Sequence, residues 1–425
     1  MTVQVNSGDL PYKHYVLVFS WFIYAWNTLL NYRQYLALHN PKIPASVSHV
    51  IKADEFNKAR LYGLDKAKFA FLKDLVEQIE STVYIYYDVL PYVWNVAGTL
   101  MGKYGYGAEY EVVQSIVFVV LLSIIPSTSI PFSLYSTFVI EERHGFNKQT
   151  LRLFFTDMVK GQLLSAVIGI PLLVAFLKII EWAGSNFYFY IWVFVLVVQF
   201  VMILIFPTLI QPLFNKFTPL PEGTLRTKIN ELASRINFPL KKLFVIDGSK
   251  RSAHSNAYFY GFFKNKRIVL YDTLLDHSTE DEVCAVLAHE LGHWHYNHVL
   301  STLVIIQLHL FCIFYLFSLF INHTPLYRAF GFATEPVLIG FTLFQYLLGP
   351  VETVLGFLQN MVSRRNEFQA DSFAKKLGYG TLLKSALTKL HVENKGTLNP
   401  DPWYSAWHYS HPPLVERLNA IGKTE

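Results

Sequence analysis

"AHELGHWHYNHVLSTLVIIQLHLFCIFYLFSLFI", residues 288–321, joins two patterns with opposite needs. Its first third holds four histidines and Glu290. The rest, 299–321, is an apolar run long enough to cross the roughly 30 Å of a bilayer's hydrocarbon core. On a helix, His289 and His293 lie four residues apart and stack on one face. Two imidazoles so placed bind one Zn²⁺, and Glu290 beside them can act as general base toward a water. The preceding "EDEVCAVLA" (280–288) supports a helix, with its acids in the first turn. His295 and His298 fall on other faces. Tyr296 and Val299 stand where a metzincin would have glycine and a third histidine. A third ligand must therefore come from elsewhere, and His₂Glu is the usual set.

Outward from this stretch, the composition is that of a membrane protein. Of 425 residues, 52% are hydrophobic and 16% charged, against about 25% charged in soluble domains. Seven apolar runs are legible: about 14–31, 82–101, 113–135, 161–182, 187–210, 299–321 and 336–361. The first reads as a retained span, because basic residues follow it and no small-x-small cleavage site appears. Asp88, Asn95, Gln199, Gln307, His309, Gln345 and Glu352 fall inside the runs. They make hydrogen bonds between helices or face a hydrated chamber. Pro91, Pro126, Pro131, Pro171 and Pro350 predict kinks. Lys and Arg alternate between loops so that the N-terminus is lumenal, while 211–298 and 362–425 are cytosolic. The sequon at Asn322 then lies in a lumenal loop and permits glycosylation. The net charge of +5 is dispersed, with no basic stripe, so no nucleic-acid partner is expected. Cys284 and Cys312 read as small buried residues, not as a disulfide framework or a zinc site.

Four further stretches carry candidate chemistry. In "SRRNEFQADSFAKKLG" (363–378), Glu367 and Asp371 share one helix face. Glu367 can ligate zinc and Asp371 can hold a ligand histidine's free N–H; the alternative is a solvated face with an Arg365–Glu367–Asp371 charge cluster. Straight helices through the last two spans would bring His293 and Glu367 to similar depth, about 42 and 46 Å from the loop that joins the spans. Residues 241–275 read as strands around "AHSNAYFYG", a small sheet whose edge can take an extended peptide. Asn256 there holds substrate backbone, or is a turn residue. In "YSHPPLVERLNAI", His411 marks a helix start, with Arg417 further on. His411 donates to a developing oxyanion with Arg417 bracing the site, or both belong to a capped surface helix. "EERHGFNKQT" (141–150) is a helix stop and start, or lies at a chamber mouth.

In this order, EERHGFNKQT, HSNAYFYG, HELGH, NEFQAD and SHPPLVERL resemble the type-I CAAX prenyl proteases. These are eukaryotic integral-membrane zinc endopeptidases related to a bacterial heat-shock membrane metalloprotease. The resemblance covers nearly the whole chain. It implies a mainly α, multi-spanning fold: seven transmembrane helices around an internal chamber, with a cytosolic-edge α+β gluzincin-type protease domain. The division would fall into a membrane domain, 1–210, and an HExxH protease domain, 211–425. It implies one Zn²⁺ per chain on His289, His293 and Glu367, with Asp371 behind them and Glu290 and His411 catalytic. Asn256 and Arg417 would serve the substrate. The partners implied are prenylated proteins ending in Cys-a-a-X, which lose their last three residues, and membrane lipids. Some members make a second, N-terminal cut in a precursor. The location implied is the endoplasmic reticulum membrane or the inner nuclear membrane, although the terminal "KTE" carries no dilysine signal. The competing expectations are a general quality-control protease of membrane proteins, and a seven-span receptor or transporter with a closed, structural zinc site.

Overall fold

The computed structural model describes residues 10–422, apart from 45–46, 49, 125–128 and 262–265. The N-terminal half is helical: α1 (Tyr12–His39), α2 (Ala53–Tyr86), α3 (Val89–Gly102), α4 (Glu111–Ile124), α5 (Ser129–Tyr135), α6 (Leu151–Ala183) and α7 (Phe187–Ile205). A π turn, Ser136–Glu141, follows α5. The second half opens with β1 (Phe217–Pro219), α8 (Thr224–Arg235), β2 (Leu240–Ile246), β3 (Ala257–Tyr260) and β4 (Lys266–Tyr271). It continues through α9 (Asp272–His277), α10 (Glu280–His295), α11 (His298–Phe320), α12 (Thr324–Ala329) and α13 (Val337–Ala374). It closes with α14 (Gly380–Glu393), α15 (Pro402–His408) and α16 (Leu414–Gly422).

Among the described residues, four helical stretches are long and apolar enough to cross a membrane: Glu111–Glu141, Leu151–Leu213, His298–Phe320 and Val337–Glu393. The second contains both α6 and α7, joined through Gly184–Asn186. The expected span at 82–101 is broken. Asp88 adopts the left-handed conformation (φ 54°, ψ 41°) between α2 and α3, where a continuous helix cannot pass, and Lys13 Nζ meets its carboxylate at 2.5 Å. Much of the charged segment expected as a loop at 32–81 is helix instead. Its Ala, Leu, Lys and Glu are strong helix formers, and Phe56, Ala59, Tyr62 and Leu64 give α2 a buried stripe.

Pro171 and Pro350 sit inside α6 and α13. Pro91 lies in the first turn of α3, where no intrahelical N–H is required, and Pro126 lies outside the described residues. Four of the polar residues in the spans pair with one another. Gln307 bonds Gln199, its carbonyl accepts Trp192 Nε1 at 3.1 Å, and His309 meets Glu352 at 2.9 Å. A cavity of about 450 Å³ between α1, α2 and α13 is lined by Asn27, Asp74, Gln78 and Gln345. Cys284 is buried as expected, but Cys312 is exposed on α11.

The sheet runs β1-β2-β4-β3. β2 and β4 are parallel, so the chain must cross over between them; that crossover includes β3, which returns antiparallel to β4 as the edge strand. Against this sheet packs α10, burying Val283, Leu287 and Leu291 with Ile268, Leu270 and Leu274. A capping box starts the helix: Thr279 Oγ1 accepts from Glu282 N, and Glu282 Oε2 accepts from Thr279 N. Burial alone would raise the Glu282 carboxyl. Lys389 and Ser385 of α14, together with Thr279, instead bring it down to about 2. That pairing ties the start of α10 to α14.

Candidate metal centre

Two local features bring the site together. The first is a break: α10 does not run straight into α11, because Asn297 is left-handed (φ 56°, ψ 32°) and turns the chain. The second is a close crossing of α10 over α13 at Gly292. A Cβ there would lie 2.9 Å from Ala370 Cα and 3.2 Å from its carbonyl oxygen. Only a residue without a side chain allows that approach. His289 and Glu367 lie one turn before the crossing on their helices, and His293 and Asp371 lie immediately after it, so the α10 histidines meet the α13 carboxylates. The depth match expected from straight helices is reached by this other route.

His289 Nε2 lies 3.4 Å from Glu367 Oε2, His293 Nε2 lies 3.2 Å from Glu367 Oε1, and the two Nε2 atoms are 3.3 Å apart. Tetrahedral bonds of about 2.0–2.1 Å put neighbouring ligand atoms about 3.3 Å apart, so the donor spacing fits a metal of that kind. Glu367 Oε2 is buried and accepts no hydrogen bond among the described residues, as a ligand atom awaiting a cation would. Burial alone would raise the Glu367 carboxyl, yet His289, His293 and Arg417 hold it far below the usual carboxylate range. Glu367 and Asp371 are 4% and 1% exposed, which excludes the solvated-face reading of 363–378.

Behind the ligands, Asp371 Oδ1 takes the His289 Nδ1–H at 2.9 Å, leaving Nε2 as the lone pair. Arg417, on α16, donates to both Asp371 oxygens, from Nε at 2.8 Å and from Nη2 at 2.6 Å. Its Nη1 lies 3.4 Å from Glu367 Oε2. Arg417 thus contacts the carboxylates and braces them from behind. Glu290 lies beside the cluster, and burial pushes its carboxyl above the ordinary range. His411 Nε2 is 3.4 Å from Glu367 Oε1, and its side chain is largely exposed. The helix expected to start at His411 starts three residues later, at Leu414, because the two intervening prolines hold the chain outside it. Asn256 precedes the edge strand, its Oδ1 accepting from Ala257 N at 2.8 Å. Asn256, His289, Glu290, His293, Glu367, His411 and Arg417 all line one cleft of about 800 Å³.

Residues 219–425 match the model of peptidase family M48, and 33–216 match that of the CAAX prenyl protease N-terminal region, described as five membrane helices. The chain is 51% identical to a CAAX prenyl protease 1 homolog of Oryza sativa subsp. japonica, over 97% of each chain. The chain belongs to the CAAX prenyl protease branch of family M48. It is likewise 44% identical to CAAX prenyl protease 1 of Saccharomyces cerevisiae, covering 98% of this chain and 96% of the relative. The crystal structure of S. mikatae Ste24p, 43% identical, superposes with a TM-score of 0.90 over 97% of this chain and all of that one. This M48 protein is therefore a multi-pass membrane metalloprotease.

Two neighbours of the metal centre in this M48 protease escaped the sequence pattern. His298 Nε2–H donates to Gln369 Oε1 at 2.9 Å, which leaves His298 Nδ1 to accept the His293 Nδ1–H at 3.0 Å. That chain of bonds presents the His293 Nε2 lone pair toward Glu367. Helical periodicity placed His298 on another face because it assumed a continuous helix. The Asn297 turn returns it to the site, and the available signal was an asparagine, a residue that tolerates the left-handed conformation.

Proposed function

We propose that His289, His293 and Glu367 hold one Zn²⁺ per chain, and that the enzyme removes the last three residues from prenylated CaaX proteins. The observation that carries this reading is the convergence of three donor atoms beside Glu290 on the floor of the cleft. Bound zinc supplies Lewis-acid polarisation to a scissile carbonyl and to an attacking water. Glu290 takes the water's proton on its carboxylate and passes it to the departing amide nitrogen. His411 donates a ring N–H to the carbonyl oxygen as negative charge develops there. Arg417 and Asp371 keep His289 and Glu367 oriented. The peptide backbone adds to the free edge of β3, with Asn256 at its start contributing a side-chain amide. The products are a prenylcysteine carboxylate and a free tripeptide.

The loop charges support a cytosolic site and C-terminus, in the endoplasmic reticulum or inner nuclear membrane, with lipid around the helices. We assign 1–210 to the membrane domain and 211–425 to the protease domain. A second, N-terminal cut in a prenylated precursor is compatible with strand binding, which relies on backbone rather than side chains. Matched peptides with and without the isoprenoid, assayed with purified protein and product masses, test the reading. At about 0.8 kcal/mol per buried CH₂, partial burial of the lipid should raise kcat/KM at least tenfold, mainly through KM. Equal efficiency on both peptides, or products other than a tripeptide, would favour a general quality-control protease.

A further inference from the structure

The 141–150 stretch takes no part in the chemistry above, yet its contacts reach the protease half. Lys148 N donates to Arg251 O at 3.2 Å and Ala253 N donates to Phe146 O at 3.1 Å, bracketing an antiparallel bridge between Asn147 and Ser252. Side chains reinforce the pairing. Asp157 of α6 takes a two-pronged contact from Arg251, Nε to Oδ2 at 2.8 Å and Nη2 to Oδ1 at 3.1 Å. The buried Phe146 ring stacks on His254 at 4.1 Å between centroids. Glu141 places Oε2 3.5 Å from His254 Nε2, while its Oε1 accepts the Tyr62 hydroxyl of α2 at 2.5 Å. On the far side, Asn394 accepts from His254 Nδ1 at 3.1 Å and from Ser255 N at 3.2 Å. Ser255 and Asn394 line the active cleft.

All these contacts converge on 251–255, the run that leads directly into Asn256 and β3. β3 has β4 on one side and no strand on the other among the described residues, so an edge used as a template depends on what anchors its start. The Asp157–Arg251 pair is suited to positioning more than to stability. Its groups are 18% exposed each, and desolvating such a pair offsets much of its attraction. A forked guanidinium–carboxylate contact fixes geometry.

We propose that the membrane half sets the position of the substrate strand, with Asp157–Arg251 and Glu141–His254 as the positioning pairs. This rests on the reading that β3 binds the peptide. The test uses full-length, metal-loaded protein in detergent and the variants Asp157→Asn and Glu141→Gln. A third variant, Arg251→Lys, keeps the charge and loses the fork; it carries the same expectation should Asp157→Asn fail to fold. The double exchange Asp157→Arg with Arg251→Asp completes the set. Amide hydrogen exchange across 251–260 should quicken in the single variants, while α10 and the metal content stay as in wild type. KM for the prenylated peptide should rise by about tenfold to 10²-fold, the scale of a misplaced substrate, with kcat changed less. The double exchange should recover part of both effects. Unchanged exchange in 251–260 would overturn the anchor. Quickened exchange with unchanged KM would leave the anchor standing and refute β3 as the peptide's site, and with it this proposal.

Discussion

Taken by themselves, Glu367 and Asp371 read as a pair sharing one helix face, either at a metal or in solvent, and burial separates the two readings. At 4% and 1% exposure, neither carboxylate is part of a solvated charge cluster. The shared face of His289 and His293 was legible because a spacing of four on a helix is a local property. His298 was not, because its placement depends on the left-handed turn at Asn297. Both histidines proposed as ligands thus have an orienting partner, Asp371 for His289 and the His298–Gln369 relay for His293. Asp371→Asn and His298→Ala should each weaken metal affinity by about 10–100-fold, measured by competition with a chromophoric chelator. His298→Asn, which keeps an acceptor near the position of Nδ1, should bind more tightly than His298→Ala. Wild-type affinity in both Asp371→Asn and His298→Ala would show that the ligands orient themselves.

At the scale of elements, the site exists because α10 and α13 approach at Gly292 and Ala370. Gly292→Ala gives a better helix former but sets a methyl against the backbone of α13. Overpacking of this kind costs about 1–3 kcal/mol, and the shift should also part the histidines from Glu367. The variant should unfold at lower temperature and lose metal during dialysis; unchanged metal content would mean the crossing can slide without disturbing the ligands. The strands on either side of "AHSNAYFYG" were legible from their apolar, β-branched character. The edge position of β3 was not, since the parallel pairing of β2 with β4 is a long-range choice. The break in the second expected run was illegible for a different reason: hydropathy averages over a window and does not see a single left-handed residue such as Asp88.

For the whole molecule, the apolar runs at 299–321 and 336–361 fall on α11 and the first part of α13, whereas the charged 32–81 segment hid the end of α1 and most of α2. The charge alternation among the loops still predicts a sidedness. In a background without Cys284 and Cys312, a cysteine placed at 322–336 should react with an impermeant maleimide only from the lumenal side, and one at 380–395 only from the cytosolic side. The opposite pattern would invert the topology. In the proposed mechanism Glu290 moves the proton at a metal held by His289, His293 and Glu367. The most direct measurement is the rate of tripeptide release from a prenylated CaaX peptide by Glu290→Gln protein whose metal content equals that of wild type. Retained metal and a rate lower by at least about 10²-fold are expected; tripeptide release at the wild-type rate from such a preparation would show that Glu290 does not move the proton.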